Sequence, residues 1–183
     1  MDSIELHSLH ANVSKDGNIL QITLDHGRVN EMGSTELRDW ESITHHLTEG
    51  HFKALITTSD KVTRSGKRIF IAGANVTERT GWTIEQVKAH VRWQRKTLSS
   101  LRQAPVFHVT VVDGLALGWG TEFMITADYR IGTPEARFAL PETSIGILPG
   151  GGMGADDVFS PSALTASSHG NIEPIAVWAP TDR

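Results

Sequence analysis

Alternating strand and helix patterns place this chain in the α/β class. Ile19 to Leu24 alternates apolar and polar residues as a half-buried strand does. Leu37, Trp40, Ile43 and Leu47 then recur at helical spacing, and a longer helical pattern further on is followed by the apolar run Val106 to Val112. A strand followed by a helix, and then the same order again, predicts helices layered on sheets.

The elements can be justified in order. Ser34 is predicted as the N-cap of the first helix, because a hydroxyl there can accept from an otherwise unpaired backbone N–H. Lys53 to Thr57 reads as a second strand and Arg68 to Ile71 as a third, with the polar loop 59–67 between them. The long helix is expected from about Thr83 to Arg102, with Ile84, Val87, Val91, Leu98 and Leu101 on its apolar face and Pro105 marking its end. Val106 to Val112 runs into the turn Asp113-Gly114. The glycine-spaced bend Gly118-Trp119-Gly120 then opens a short helix with Glu122 in its first turn. Free backbone N–H groups and a carboxylate therefore lie side by side.

Composition excludes several function classes. The chain has 183 residues, is 39% hydrophobic and carries a net charge of −4, the profile of a single globular domain. With a pI near 6.1 it presents no basic footprint for nucleic acid or for an anionic membrane surface, and neither partner is expected. No run approaches the roughly 18 apolar residues of a membrane span, and the N-terminus lacks a secretory pattern, so a cytoplasmic location is expected. The absence of cysteine removes disulfides, thiolate nucleophiles and cysteine metal sites.

Other motifs are set aside on context. Gly150-Gly151-Gly152-Met153-Gly154-Ala155 fits a dinucleotide-turn string, but Pro149 interrupts its approach and no clear helix follows. Ser65-Gly66-Lys67 lacks the spacing of a phosphate loop, and no G-x-S-x-G elbow is present. His45, His46, His51, His90 and His108 show no metal-ligand spacing, so no metal is expected. Asp128 reads as structural. Glu122 alone would suit the macrodipole of a helix start, and Glu142 alone would suit a surface turn.

The segments RIFIAGANV and VVDGLALGWGTEFMITADYRIGTPEARFALPETSIGILPGGG together resemble the crotonase, or enoyl-CoA hydratase/isomerase, superfamily. ILQITLDHGRVNEMG also resembles that family's first hairpin and its Asn-containing turn. The resemblance covers about Ile19 to Gly154. It implies a spiral of repeated ββα units with two steeply angled sheets, and a bent coenzyme A thioester as ligand. Coenzyme A would enter as part of the substrate, with no separate cofactor, and a trimer or hexamer is expected. The resemblance makes residues 1–154 the core. Residues 155–183 are expected as an irregular tail in place of the family's C-terminal helices, as in a short member or a fragment.

Site roles follow from the resemblance and from the chemistry. By resemblance, the backbone N–H groups of Ala74 and Trp119 form an oxyanion hole, and Ala72, Gly73, Asn75, Val76 and Gly118 contact the acyl-CoA. The family usually has glycine where Trp119 stands, which implies an altered acyl pocket. Two preorganised donors suit the enolate-like oxyanion of a thioester, each worth about 3–4 kcal/mol in the transition state. Glu122 and Glu142 match the hydratase branch's two catalytic glutamates, able to take a proton from water and to give one to the α-carbon. The function so implied is hydration of a 2-enoyl-CoA. Another acyl-CoA isomerase or hydrolase, or a truncated binding domain without turnover, are the alternatives.

Overall fold

The computed structural model describes residues 4–145, residue 150 and residues 176–178. Among them are nine strands: β1 His10–Val13, β2 Ile19–Leu24, β3 Ala54–Ser59, β4 Ile69–Ile71, β5 Phe107–Val112, β6 Leu115–Leu117, β7 Tyr129–Gly132, β8 Arg137–Ala139 and β9 Ala176–Trp178. The helices are α1 Ser34–Glu49, α2 Ile84–Gln103 and α3 Trp119–Thr126, with 3₁₀ turns at Thr77–Arg79 and Pro141–Ile145. No helix among the described residues is long and apolar enough to cross a membrane.

The strands form a six-stranded sheet, ordered β1-β2-β3-β5-β7-β9, and a three-stranded sheet, ordered β4-β6-β8. The path repeats. β3 joins the large sheet, β4 the small one, and α2 follows; β5, β6 and α3 do the same, and β7 and β8 begin a third pass. Strands contributed by successive passes pair in parallel within each sheet, because each pass returns through a crossover rather than a hairpin. The α/β expectation and its ββα repeat are therefore realised.

β2, β3 and β5 bury every second residue on one face, as period-two side chains require. Leu20, Ile22 and Leu24 meet Leu37, Trp40, Ile43 and Leu47 of α1 in one core. Phe123 of α3 lies at its centre, with ring centroids 4.8 Å from Trp40, 6.1 Å from Phe70 and 5.5 Å from Trp119. The aromatic cluster thus joins α1, β4 and α3. The equivalent face of β3 and β5 is mixed, with Leu55 and Val112 in the core and Thr57, Ser59, His108 and Thr110 buried beside them. His108 Nε2 lies 3.0 Å from Thr57 Oγ1, and burial, aided by the charge of Arg130, pushes the imidazole down to about 3.

Two local expectations are corrected. Gly33, not Ser34, is the N-cap of α1: the Gly33 N–H donates to Glu36 Oε2 at 2.8 Å and the Ser34 N–H to Glu78 Oε2 at 3.0 Å. Carboxylates perform the capping assigned to the hydroxyl. In α2 the predicted apolar face holds only at its C-terminal end, where Leu98 and Leu101 are buried. Ile84 is 73% exposed, and the first half buries His90 and Gln94 instead. His90 packs edge-on between Trp82 and Trp93, at 5.2 and 5.7 Å, so the apolar wall comes from indoles off the expected stripe.

Within residues 155–183, only Ala176–Trp178 is described, as β9 antiparallel to β7. Of the glycine string 150–154, all but Gly150 lies outside the described residues.

Asp39 secures the segment before β1. Its buried carboxylate accepts from the N–H groups of His7, Ser8 and Leu9 and from the Ser8 hydroxyl. Burial alone would raise its pKa, but these donors outweigh it and hold the group below its ordinary 3.8. Asp39→Ala should cost about 2–4 kcal/mol at neutral pH. Because the folded-state value is the lower one, the stabilisation is complete above 3.8 and is lost as pH falls through the depressed value. Urea unfolding of wild type and variant across that range should show the gap closing in acid.

Candidate active site

The small sheet gathers the sequence-predicted residues. β4, β6 and β8 are parallel, with Ile71 opposite Ala116 and Leu117 opposite Ala139, so all three strands leave the sheet at the same edge. Ala72-Gly73-Ala74 follows β4, Gly118-Trp119 follows β6, and Pro141-Glu142 begins the turn after β8. Residues far apart in sequence thus become neighbours.

Hydrogen bonds on the flanks fix where the amides point. Gly73 O accepts from Met32 N at 2.9 Å, and Asn75 N donates to Met32 O at 2.8 Å. A trans peptide directs its N–H opposite to its C=O. The Ala74 N–H therefore points away from Met32. Gly73 has φ 112°, and a Cβ there would lie 3.4 Å from Leu117 O, so glycine suits both the turn and the approach.

The second amide sits at a helix start. Gly118 is the N-cap of α3 at φ 51° and ψ −120°, and its carbonyl accepts from Glu122 N at 3.0 Å. The same planarity turns the Trp119 N–H outward from the helix N-terminus, where no intrahelical acceptor exists. The Trp119 indole points inward and is buried against Phe123, at an interplanar angle of 32°. Its Nε1 has no hydrogen-bond partner among the described residues. The side chain thus belongs to the aromatic core, while the backbone donor stays at the helix start.

Gly118 meets the backbone of Glu122 and the carboxylate of Glu142. Glu122 is 3% exposed and bonded through its N–H to Gly118 O. The Glu142 carboxylate lies over the Gly118 Cα, its Oε1 2.7 Å from where a Cβ would stand. Glu142 Oε2 is buried with no hydrogen-bond partner among the described residues, an acceptor aimed at no protein donor. The Thr121 hydroxyl bridges Ala116 O and Ala139 O, at 3.0 and 2.8 Å, and ties the exits of β6 and β8 together.

The remaining candidates divide. Ala72 N donates to Val29 O at 3.2 Å, and Val76 is 65% exposed beside the site. The Asn75 side-chain oxygen accepts from the N–H groups of Thr77 and Glu78, so it caps the 3₁₀ turn. Asp128 is structural, its carboxylate accepting from His108 N at 2.9 Å. Among the described residues no cluster of His, Cys, Asp and Glu could hold a metal.

Arg130 escaped the sequence reading. Its buried guanidinium donates to the carbonyls of Ala127 at 2.6 Å, Ile125 at 3.2 Å and Met124 at 3.4 Å, and so closes the C-terminus of α3. A cation four residues beyond a short helix was the available signal.

Residues 14–157 match the enoyl-CoA hydratase/isomerase family. Among solved structures, an enoyl-CoA hydratase from Bacillus anthracis is 28% identical, with a TM-score of 0.72 over 80% of this chain and 55% of that one. DspI from Pseudomonas aeruginosa is 25% identical, with a TM-score of 0.73 over 82% of this chain and 59% of that one. AtuE from Pseudomonas aeruginosa is 25% identical, with a TM-score of 0.69 over 78% and 54%. The chain therefore spans a little over half the length of these structures.

Gly118→Ala tests the junction. A side chain at φ 51° is strained by about 1–3 kcal/mol, and the methyl would also meet Glu142 Oε1. In denaturant unfolding, Gly118→Ala should lose about 1–3 kcal/mol, owed to the backbone at φ 51° and ψ −120°, because Glu142 Oε1 is the end of a flexible side chain and can swing aside.

Proposed function

This chain belongs to the enoyl-CoA hydratase/isomerase family, and from that premise we propose that it adds water across the double bond of a 2-enoyl-CoA thioester. The reading is supported by the meeting of three parallel strand exits, with Ala74 following one, Trp119 following another, and the Glu142 carboxylate over Gly118. Coenzyme A belongs to the substrate in this reading, and no other cofactor is required.

The thioester oxygen sits between the N–H groups of Ala74 and Trp119. As the water oxygen bonds to the β-carbon, the alkene electrons move onto the thioester oxygen and one glutamate takes the water's proton. The other glutamate delivers a proton to the α-carbon as the enolate collapses, so one water is consumed and no charge remains. Donors fixed by Met32 and by the start of α3 need not reorganise as the oxyanion forms, which is where such a site gains most. Burial of Glu122 and of Glu142 Oε2 limits contact with bulk water, which favours proton exchange with substrate. The reading extends to a homo-oligomer acting in the cytoplasm.

A second reading on the same site is isomerisation of the double bond. It moves one proton between two carbons and needs a single carboxylate. The position of the Glu142 carboxylate over Gly118 at the strand exits, with Glu122 buried, favours it, with Glu142 as the single base.

The conjugated enoyl-thioester absorbance tests both readings, falling as a 2-enoyl thioester is hydrated and rising as a 3-enoyl thioester is isomerised. For a hydratase, Glu122→Gln and Glu142→Gln should each lower kcat by about 10²–10⁴-fold. For an isomerase, Glu122→Gln keeps turnover of a 3-enoyl thioester and only Glu142→Gln loses it. Equal turnover by wild type and both variants overturns either one.

A further inference from the structure

We infer that Asn30 is a positioning residue for the Ala74 amide, acting as a bolt between the loop after β2 and the exit of β4. The inference rests on the oxyanion role proposed for Ala74. Asn30 is fully buried at 0% exposure and has φ 54°, the one positive-φ residue other than glycine among those described. That conformation costs a side-chain-bearing residue energy, so the contacts it permits must offset the cost.

Those contacts lead to one place. Asn30 Oδ1 accepts from His26 N at 2.9 Å, which closes the loop on itself. Nδ2 donates to Phe70 O at 2.9 Å and to Ser59 Oγ at 2.9 Å. Ser59 Oγ in turn donates to Ile69 O at 2.6 Å. One amide group therefore holds β4 through two successive carbonyls, Ile69 by way of Ser59 and Phe70 directly.

The backbone on either side continues the clamp. Ala72 N donates to Val29 O at 3.2 Å, and Met32 N to Gly73 O at 2.9 Å. The Gly73 carbonyl belongs to the peptide whose N–H is that of Ala74. With Asn30 in place, Met32 holds that peptide plane in one rotation; without it, residues 29–32 lose their anchor and the plane can turn. A Gly73 with φ 112° offers little resistance of its own.

Asn30→Gly is the informative variant, because glycine accepts φ 54° while the side-chain bolt is lost. Amide hydrogen exchange reads the clamp without any substrate. The Met32 and Asn75 N–H groups should exchange about 10-fold faster, with distant strands unchanged. In the enoyl-thioester assay kcat should fall about 10²-fold with KM nearly constant, as for a misplaced catalytic donor. Asp39→Ala, destabilised at a site remote from these exits, is the control and should keep its kcat.

Unchanged exchange at Met32 overturns the inference whatever the activity. So does faster exchange with an unaltered kcat in an active enzyme, or a kcat loss no greater than that of Asp39→Ala. If wild-type protein does not turn over enoyl thioesters, the hydratase reading falls. The exchange at Met32 and Asn75 then decides the role of Asn30 by itself.

Discussion

The parallel register of the small sheet is the constraint on which the rest depends. With Ile71 beside Ala116 and Leu117 beside Ala139, three chain segments leave the sheet at one edge. A one-residue slip would turn every side chain of the slipped strand to the other face and separate Ala74, Trp119 and Glu142. Close approaches enforce the register. A Cβ on Gly114 would collide with the Arg68 carbonyl, and one on Gly120 with that of Ile71, so glycine lets β6 approach the start of β4 and lets α3 seat against its end. The large sheet supplies rigidity, and the small one supplies direction.

Much of this was legible in the residues. The residues give β2 its observed bounds, β5 and α2 theirs within a residue, and the start of α3, because each carries a strong period or a clear signal such as Pro105 or the Gly118-Trp119-Gly120 bend. The ordered pair of motifs placed Glu122 and Glu142 in one frame, which neither carboxylate could have done alone. What stayed hidden depends on distant partners. Glu78 caps α1 from a turn 44 residues away, and no local pattern in Gly33-Ser34 reveals it. His90 looks like a solvent-facing position of α2 until Trp82 and Trp93 flank it, and Gln94 until Arg79 donates to its side-chain oxygen. Asn30 reads as an ordinary turn residue, and its bonds to Ser59 and Phe70 exist only in the assembled fold.

α3 is held at both ends by unlike means. At its start the glycine N-cap and the Thr121 hydroxyl join it to two strand exits, and at its finish Arg130 draws its last carbonyls together. Between them Phe123 fills the core against Trp40 and Phe70. A helix of eight residues is too short to persist on its own, so its order is borrowed from these contacts. Its N-terminal amides are accordingly as rigid as the core they grow from, a property that preorganised donors need.

The buried imidazole of His108 has a consequence for the chain as a whole. Folded, it stays neutral down to about 3; unfolded, it takes up a proton near its ordinary 6.5. Between those limits the disordered chain binds a proton that the native one refuses, so native stability rises with pH across the interval and erodes as the solution is acidified. Acid therefore begins to weaken this molecule as pH falls below about 6.5. The imidazole stands in the middle of the large sheet, hydrogen-bonded to a threonine and edge-on to Phe123.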